Sequence, residues 1–340
     1  MKKIAVLRLS SLGDVAMTVP VIDSLARKYN DLNFVIVTSK RCEGIFYDLP
    51  DNVDVHAVHL HGKHSGFKGL RRLSSELRSK GVDTVADLHD VLRTKVLRKL
   101  LLLHGCKVKH IDKGRSEKRA LVRHTASGFR QLKSNFERYA EVFRKLGLRF
   151  EIDFERLDLP AGTYAIRKPE GEKWIGIAPF AAHRGKIYSL RKMKEVIGAL
   201  VYRYPDCKIM MFGTEKEMHS LRKHYDFDQL TYVCDQFSGV WNELRVIDQL
   251  DVMISMDSAN MHLASLVQTP VVSIWGATHP YAGFYGYGQD PDNAIQHDLD
   301  CRPCSIFGDK KCEYGDYHCI REIAPTTIVK KVAEFIEKAE

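Results

Sequence analysis

The sequence predicts an α/β protein built as two doubly wound, Rossmann-like domains facing across a cleft. Three observations predict it. Apolar runs of strand length alternate with amphipathic stretches of helix length, the pattern of a parallel sheet covered on both faces. The alternation stops over residues 151–172, where Pro160, Gly162, Pro169 and Gly171 fall, and then begins again. A chain of 340 residues is also longer than one hydrophobic core ordinarily serves. The expected divisions are residues 1–160, residues 173–324, and a last helix over 325–340 with the option of packing back on the first domain.

Taken in order, residues 3–9 are an apolar run of strand length that ends in the turn Ser10-Ser11-Leu12-Gly13-Asp14. A helical spacing then runs through Val15, Val19, Ile22 and Leu25 to Tyr29. Strands are expected at 34–37, 53–60, 84–88 and 107–111, with helices near Ile45 and over 70–80, 92–104 and 136–146. After the break come strands at 174–178, 208–212, 231–233, 251–255 and 270–275, and a helix over 190–204. A long irregular stretch precedes the last helix, which Pro325-Thr326-Thr327 opens.

Ligands of such sheets lie beyond the carboxyl ends of the strands, so the turns there hold the candidate chemistry. Gly13 lets backbone approach a ligand, and the Asp14 carboxylate has two readings: a base that takes a proton from a hydroxyl, or a cap on the following helix. In the second half, Met256-Asp257-Ser258-Ala259-Asn260-Met261-His262 turns a strand into a helix whose free N–H groups suit a diphosphate. Asp257 either caps that helix or accepts from a ribose or sugar hydroxyl, and His262 is either a ligand contact or a core histidine. Trp275-Gly276-Ala277-Thr278 is a further glycine turn on the same rim. Residues 213–217 add carboxylates, while Arg184 and Lys186 add cations that can stabilise a departing diphosphate. No G-x-G-x-x-G follows any strand, which argues against a dinucleotide site.

The net charge of +9 is uneven: residues 1–170 carry 33 Lys+Arg against 20 Asp+Glu, and the remainder carry 19 against 23. The basic half implies an acidic partner, for which phosphorylated substrates and anionic membrane surfaces qualify. A nucleic acid is not expected, because no aromatic-interleaved basic motif or recognised module is present. No apolar run approaches the roughly 18 residues of a membrane span, and Arg8 interrupts the only signal-like stretch, so a cytoplasmic protein is expected.

Asp257-Ser258-Ala259-Asn260-Met261-His262-Leu263-Ala264, with Thr269-Pro270 and Trp275-Gly276-Ala277-Thr278, resembles the signature of the heptosyltransferases of lipopolysaccharide core assembly, glycosyltransferase family 9. Arg8-Leu9-Ser10-Ser11-Leu12-Gly13-Asp14, with Thr18 and Pro20, resembles their N-terminal motif. The resemblance implies a GT-B fold and inverting, metal-independent transfer from ADP-heptose to a sugar of the lipid A and inner-core region. It implies Asp14 as general base, Lys186 at the donor phosphates and Asp257 at the donor sugar. Ser258, Ala259 and Asn260 match the turn that holds the diphosphate, and Gly13, His262, Gly276 and Thr278 join the donor set. The donor glutamate falls at Glu217, with Glu215 as the other alignment. Ile187-Tyr188 stands where many members have a tryptophan after the lysine.

The resemblance also gives the basic half a use, since residues 60–149 hold 23 Lys+Arg and 8 Asp+Glu. An anionic, lipid-linked saccharide acceptor at the inner membrane surface is then the expected partner. Arg115, Lys118, Arg119 and Arg123 are the candidate acceptor residues, on a stretch over 113–133 expected to be a mobile loop of the first domain.

Cys301-Arg302-Pro303-Cys304, with Cys312 and Cys319, spells C-x2-C-x7-C-x6-C. Structural zinc, reduced thiols packing an irregular loop, and a disulfide all remain open readings. The other function classes are a related transferase with a different nucleotide sugar and a two-lobed sugar-binding protein.

Overall fold

A computed structural model of the chain describes residues 2–125, 127–160 and 166–338. Gly162 of the expected break lies outside them. Contacts divide the chain into two compact units, Met1–Lys113 with Asn135–Leu157, and Gly114–Ser134 with Asp158–Glu340.

The first unit is built on five parallel strands, β1 (Lys3–Leu7), β2 (Asn33–Ser39), β3 (Val53–Val58), β4 (Thr84–Asp87) and β5 (Lys107–His110), in the order β3-β2-β1-β4-β5. Helices cover both faces, so β1 is buried on either side through Ile4, Ala5, Val6 and Leu7. The chain order reverses between β1 and β4, which pair in parallel with Leu7 opposite Asp87. That switch point opens a crevice at the strands' carboxyl ends. β5 is an edge strand, and the exposed Lys107 and Lys109 discourage further pairing.

The second unit repeats the scheme with β6 (Trp174–Ala178), β7 (Lys208–Met211), β8 (Leu230–Tyr232), β9 (Val252–Met256), β10 (Val271–Trp275) and β11 (Ala294–Gln296). Their order is β11-β10-β9-β6-β7-β8, with the reversal between β6 and β9. Two parallel-sheet α/β domains are the GT-B architecture the sequence predicted. The short β11 escaped notice because only Ala294, Ile295 and Gln296 form it.

Two expectations are corrected. The last helix, Pro325–Ile336, buries Ile328, Val332, Ala333 and Ile336. That face packs on helix Leu190–Arg203 and on β9 and β10, so it serves the second sheet rather than returning to the first domain. The stretch over 113–133 is not a loop of the first domain either. It contains helix Arg115–Val122 and groups with the second unit, where Leu121 and Leu132 form a small core with Ala282. Leu132 N–H donates to the Tyr281 carbonyl at 2.8 Å, and Phe129 lies against His279 and Tyr281.

Candidate active site

On the first unit, β1 runs straight into the short helix Leu12–Ala16, so Gly13 and Asp14 sit at the switch point. Gly13 is buried there. Ser11, not Asp14, occupies the N-cap. The Asp14 carboxylate instead accepts from Ser11 Oγ at 2.7 Å and pairs with Arg8 Nη2 at 2.6 Å. Arg8 is buried, and its Nη1 donates to the Leu88 carbonyl at 2.9 Å. Burial opposes the Arg8 charge, but the nearby Tyr139 and Asp14 outweigh it and hold the guanidinium protonated. Tyr139, fully buried, donates to the Asp14 carbonyl at 3.4 Å. Asp14 is thus held by its side chain and its main chain.

The wall beside it is a buried polar network. Asp87 Oδ1 accepts from the N–H groups of His89 and Asp90, each at 2.9 Å, and its Oδ2 meets Arg98 at 2.9 Å. His89 Nδ1 accepts from Leu9 N–H at 3.3 Å, which leaves the ring neutral. Burial, with Arg8 and Lys113 nearby, pushes the His89 pKa down to about 3.

On the second unit, β9 ends at Asp257 and helix Ala259–Leu266 begins after the N-cap Ser258. Asp257 is buried, and Ser258 rather than Asp257 holds the N-cap position. Asp257 Oδ2 accepts from Thr278 Oγ1 at 2.8 Å and meets Lys186 Nζ at 2.8 Å. Three residues from three rim turns therefore come together. Ser258, Ala259 and Asn260 stand half-buried at the helix start, and His262 is buried one turn further in. The turns are pressed together at glycines: a Cβ on Gly276 would lie 2.4 Å from the Gly185 carbonyl oxygen. Glu217 closes a capping box, its carboxylate accepting from Thr214 N–H at 2.8 Å and Thr214 Oγ1 at 2.7 Å. Tyr188, at the position without tryptophan, is buried and donates to the Ile323 carbonyl at 2.9 Å.

The residue that sequence reasoning missed here is Arg302. Fully buried, it donates to the carbonyls of Gly276, Thr278 and His297 at 2.5, 3.0 and 2.8 Å. It thereby braces the turn that carries Thr278. The signal was an arginine inside C-R-P-C, read only for its cysteines.

Cys301, Cys304, Cys312 and Cys319 line one cavity of about 430 Å³ beside Ala277, and all four are free thiols. Burial pushes Cys319 up to about 11 and raises Cys304. Among the described residues, the three donors that fall within 4.8 Å of one another are His56, His64 and Glu76, and no three of these sulfurs come that close. The histidine set is part of an unread H-x2-H-x-H-x2-H stretch, His56 to His64. His64 Nδ1 accepts from His59 N–H at 3.0 Å, so its Nε2 carries the hydrogen aimed at Glu76, 3.0 Å away. Hydrogen bonds, rather than metal ligation, account for that cluster.

Of the acceptor candidates, Arg115 and Lys118 lie on helix Arg115–Val122 with Arg119, and Arg123 follows as its C-cap. Arg115, Arg119 and Arg123 are exposed, whereas Lys118 covers the Phe284 ring at 4.3 Å.

Burial also pushes the His279 pKa down to about 4, helped by Arg302. An unfolded chain protonates His89 and His279 below about 6.5, whereas the folded chain resists down to about 3 and 4. Stability is therefore expected to fall as pH drops from 7 to 5, by about 2 kcal/mol for each histidine. Denaturant titrations at the two pH values measure this, and an unchanged midpoint would contradict it.

Residues 70–317 match the family described as Glycosyltransferase family 9 (heptosyltransferase). Lipopolysaccharide heptosyltransferase 1 of Campylobacter coli is 24% identical, with 98% of each chain covered. A family 9 glycosyltransferase structure from Veillonella parvula has a TM-score of 0.76 at 17% identity, covering 99% of this chain and 98% of that one. The E. coli structure named ADP-heptose lps heptosyltransferase II has a TM-score of 0.72 at 14% identity, covering 100% and 99%.

Proposed function

The chain belongs to glycosyltransferase family 9, the heptosyltransferases of lipopolysaccharide core assembly, and we propose that it transfers heptose from ADP-heptose to the lipid A and inner-core region, with inversion and no catalytic metal. The observation that carries this reading is the Lys186–Asp257–Thr278 constellation at the amino end of helix Ala259–Leu266. Asp257 fixes the ammonium of Lys186 and leaves two N–H bonds for phosphate oxygens. The helix terminus adds backbone N–H groups for the same diphosphate.

The chemistry is a direct displacement. Asp14 takes the proton of the acceptor hydroxyl, the oxygen attacks the anomeric carbon, and the ADP leaving group departs toward Lys186 and the N–H groups after Ser258. Ser258, Ala259 and Asn260 hold the diphosphate, and Gly276, His262 and Glu217 belong to the same donor site; Gly13 leaves room for close backbone approach beside Asp14. A transferase for another nucleotide sugar keeps its own support in Tyr188, which is committed to the core where many members have a tryptophan. A donor screen separates the two: ADP-heptose should be turned over well ahead of UDP- and GDP-sugars. Preference for either of those would overturn the donor assignment.

Arg115, Lys118, Arg119 and Arg123 capture the anionic acceptor. Neutralising all four should raise the acceptor KM at least about tenfold with the donor KM little changed. Unchanged acceptor kinetics would remove them from the site. The enzyme works in the cytoplasm, peripheral to the inner membrane; no helix among the described residues is long and apolar enough to cross one. The four cysteines are of the ligand type that holds structural zinc and line one cavity, although no three of their sulfurs lie within 4.8 Å of one another; zinc bound there would draw them together and brace the Arg302 loop without touching the reaction. Elemental analysis should find about one zinc per chain, and zinc-free active protein would end that reading.

A further inference from the structure

Helix Leu92–Leu103 reads LRTKVLRKLLLL, with four cations and no acid. Its inner side is settled by the buried Thr94, Leu97 and Leu101, and it packs beside helix Gly66–Ser79. Its outer side mixes cations with apolar side chains. Leu92 is 78% exposed, Leu102 57% and Leu103 81%, and these are the exposed leucines among the described residues. Residues 92, 96, 99 and 103 follow helical spacing, so Leu92, Val96, Lys99 and Leu103 form one line along the helix. Phe67, 61% exposed, opens the neighbouring helix, and Arg78 and His104 join the two helices' far ends at 3.4 Å.

Exposed leucines at both ends of one helix call for a partner. The charge says which kind. Arg93 and Lys99 are exposed on the helix, and Lys68, Arg71 and Arg72 are exposed on its neighbour. A second copy would bring the same cations face to face and be repelled. An anionic bilayer complements both features, taking the leucines into the acyl boundary while the cations stay among the headgroups. The helix also starts in the right place. It follows the loop after β4, whose Asp87 lies opposite Leu7 of β1, so Leu92 belongs to the rim that carries Asp14.

We propose that the outer face of helix Leu92–Leu103, with Phe67, docks the protein on an anionic lipid surface. It rests on the transferase reading only in giving that docking a purpose, the approach to a lipid-linked acceptor. Sedimentation of the full chain with vesicles tests it. The protein should pellet with mixed phosphatidylglycerol and phosphatidylcholine but not with phosphatidylcholine alone. Leu92→Ser with Leu103→Ser, and separately Arg93→Glu with Lys99→Glu, should each weaken that binding about tenfold or more. Transfer to a lipid-free oligosaccharide acceptor should be unchanged in both.

Vesicle binding that survives in both variants overturns the proposal. So does a wild-type dimer that the leucine variant converts to a monomer with vesicle binding intact, because the face is then a subunit interface. Vesicle binding needs neither donor nor acceptor. A wild-type chain that docks but transfers nothing therefore sinks the transferase reading and leaves this surface standing.

Discussion

Asp14→Ala is expected to lower kcat by about 10²–10⁴-fold, the usual contribution of a general base, while ADP-heptose binds nearly as before. The carboxylate is oriented by Ser11 and Arg8, and its backbone carbonyl by Tyr139. Asp14→Asn separates basicity from position, since the amide oxygen still accepts from Ser11 and Arg8. It should keep more stability than the alanine variant, because Arg8 retains its hydrogen bond though not its countercharge, and be nearly as slow. Arg8 makes the comparison necessary: stripped of its carboxylate partner, a buried guanidinium destabilises the fold, and lost activity could then be lost structure. Single-turnover rates with donor binding measured in parallel would show the split. Near-normal turnover in Asp14→Asn would remove Asp14 as the base.

Lys186→Ala should do two things at once. It removes the cation assigned to the departing diphosphate, which should cost about 10²-fold or more in kcat/KM. It also takes the cation away from the buried Asp257 carboxylate, which keeps the Thr278 hydroxyl at 2.8 Å. Breaking a buried pair from one side costs about 3–5 kcal/mol, and Lys186 is buried enough for much of that to apply. Lys186→Ala combined with Asp257→Asn removes the stranded charge. The double variant should recover most of the stability and none of the transfer. Recovery of both would mean that Lys186 serves the fold and not the donor.

The architecture was legible because its signals are local. Fully buried parallel strands such as Ile4–Leu7 and Val271–Trp275 are written as continuous apolar runs, and each rim motif follows one of them directly. That is why Asp14, Asp257 and Thr278 could be placed on strand ends without a structure. The partners that hold them were harder to read. Arg8 and Asp14 are six residues apart, but Tyr139 reaches Asp14 across 125 positions of the sequence and Lys186 meets Asp257 from another turn of the sheet. Such pairings are products of topology, not of spacing.

The stretch over 113–133 failed for a related reason. Helix Arg115–Val122 has one buried side chain, Leu121, so its own periodicity is too weak to announce it. Its order comes from tertiary contacts with residues 279–284. Arg302 likewise shows its purpose only once the strand β10 turn is folded around it.

The most direct test of the central claim is ADP release from ADP-heptose, followed with and without a lipopolysaccharide inner-core acceptor. Release should require the acceptor and match the heptose that appears on it. Equal release without acceptor, or none with any core acceptor, would contradict the account.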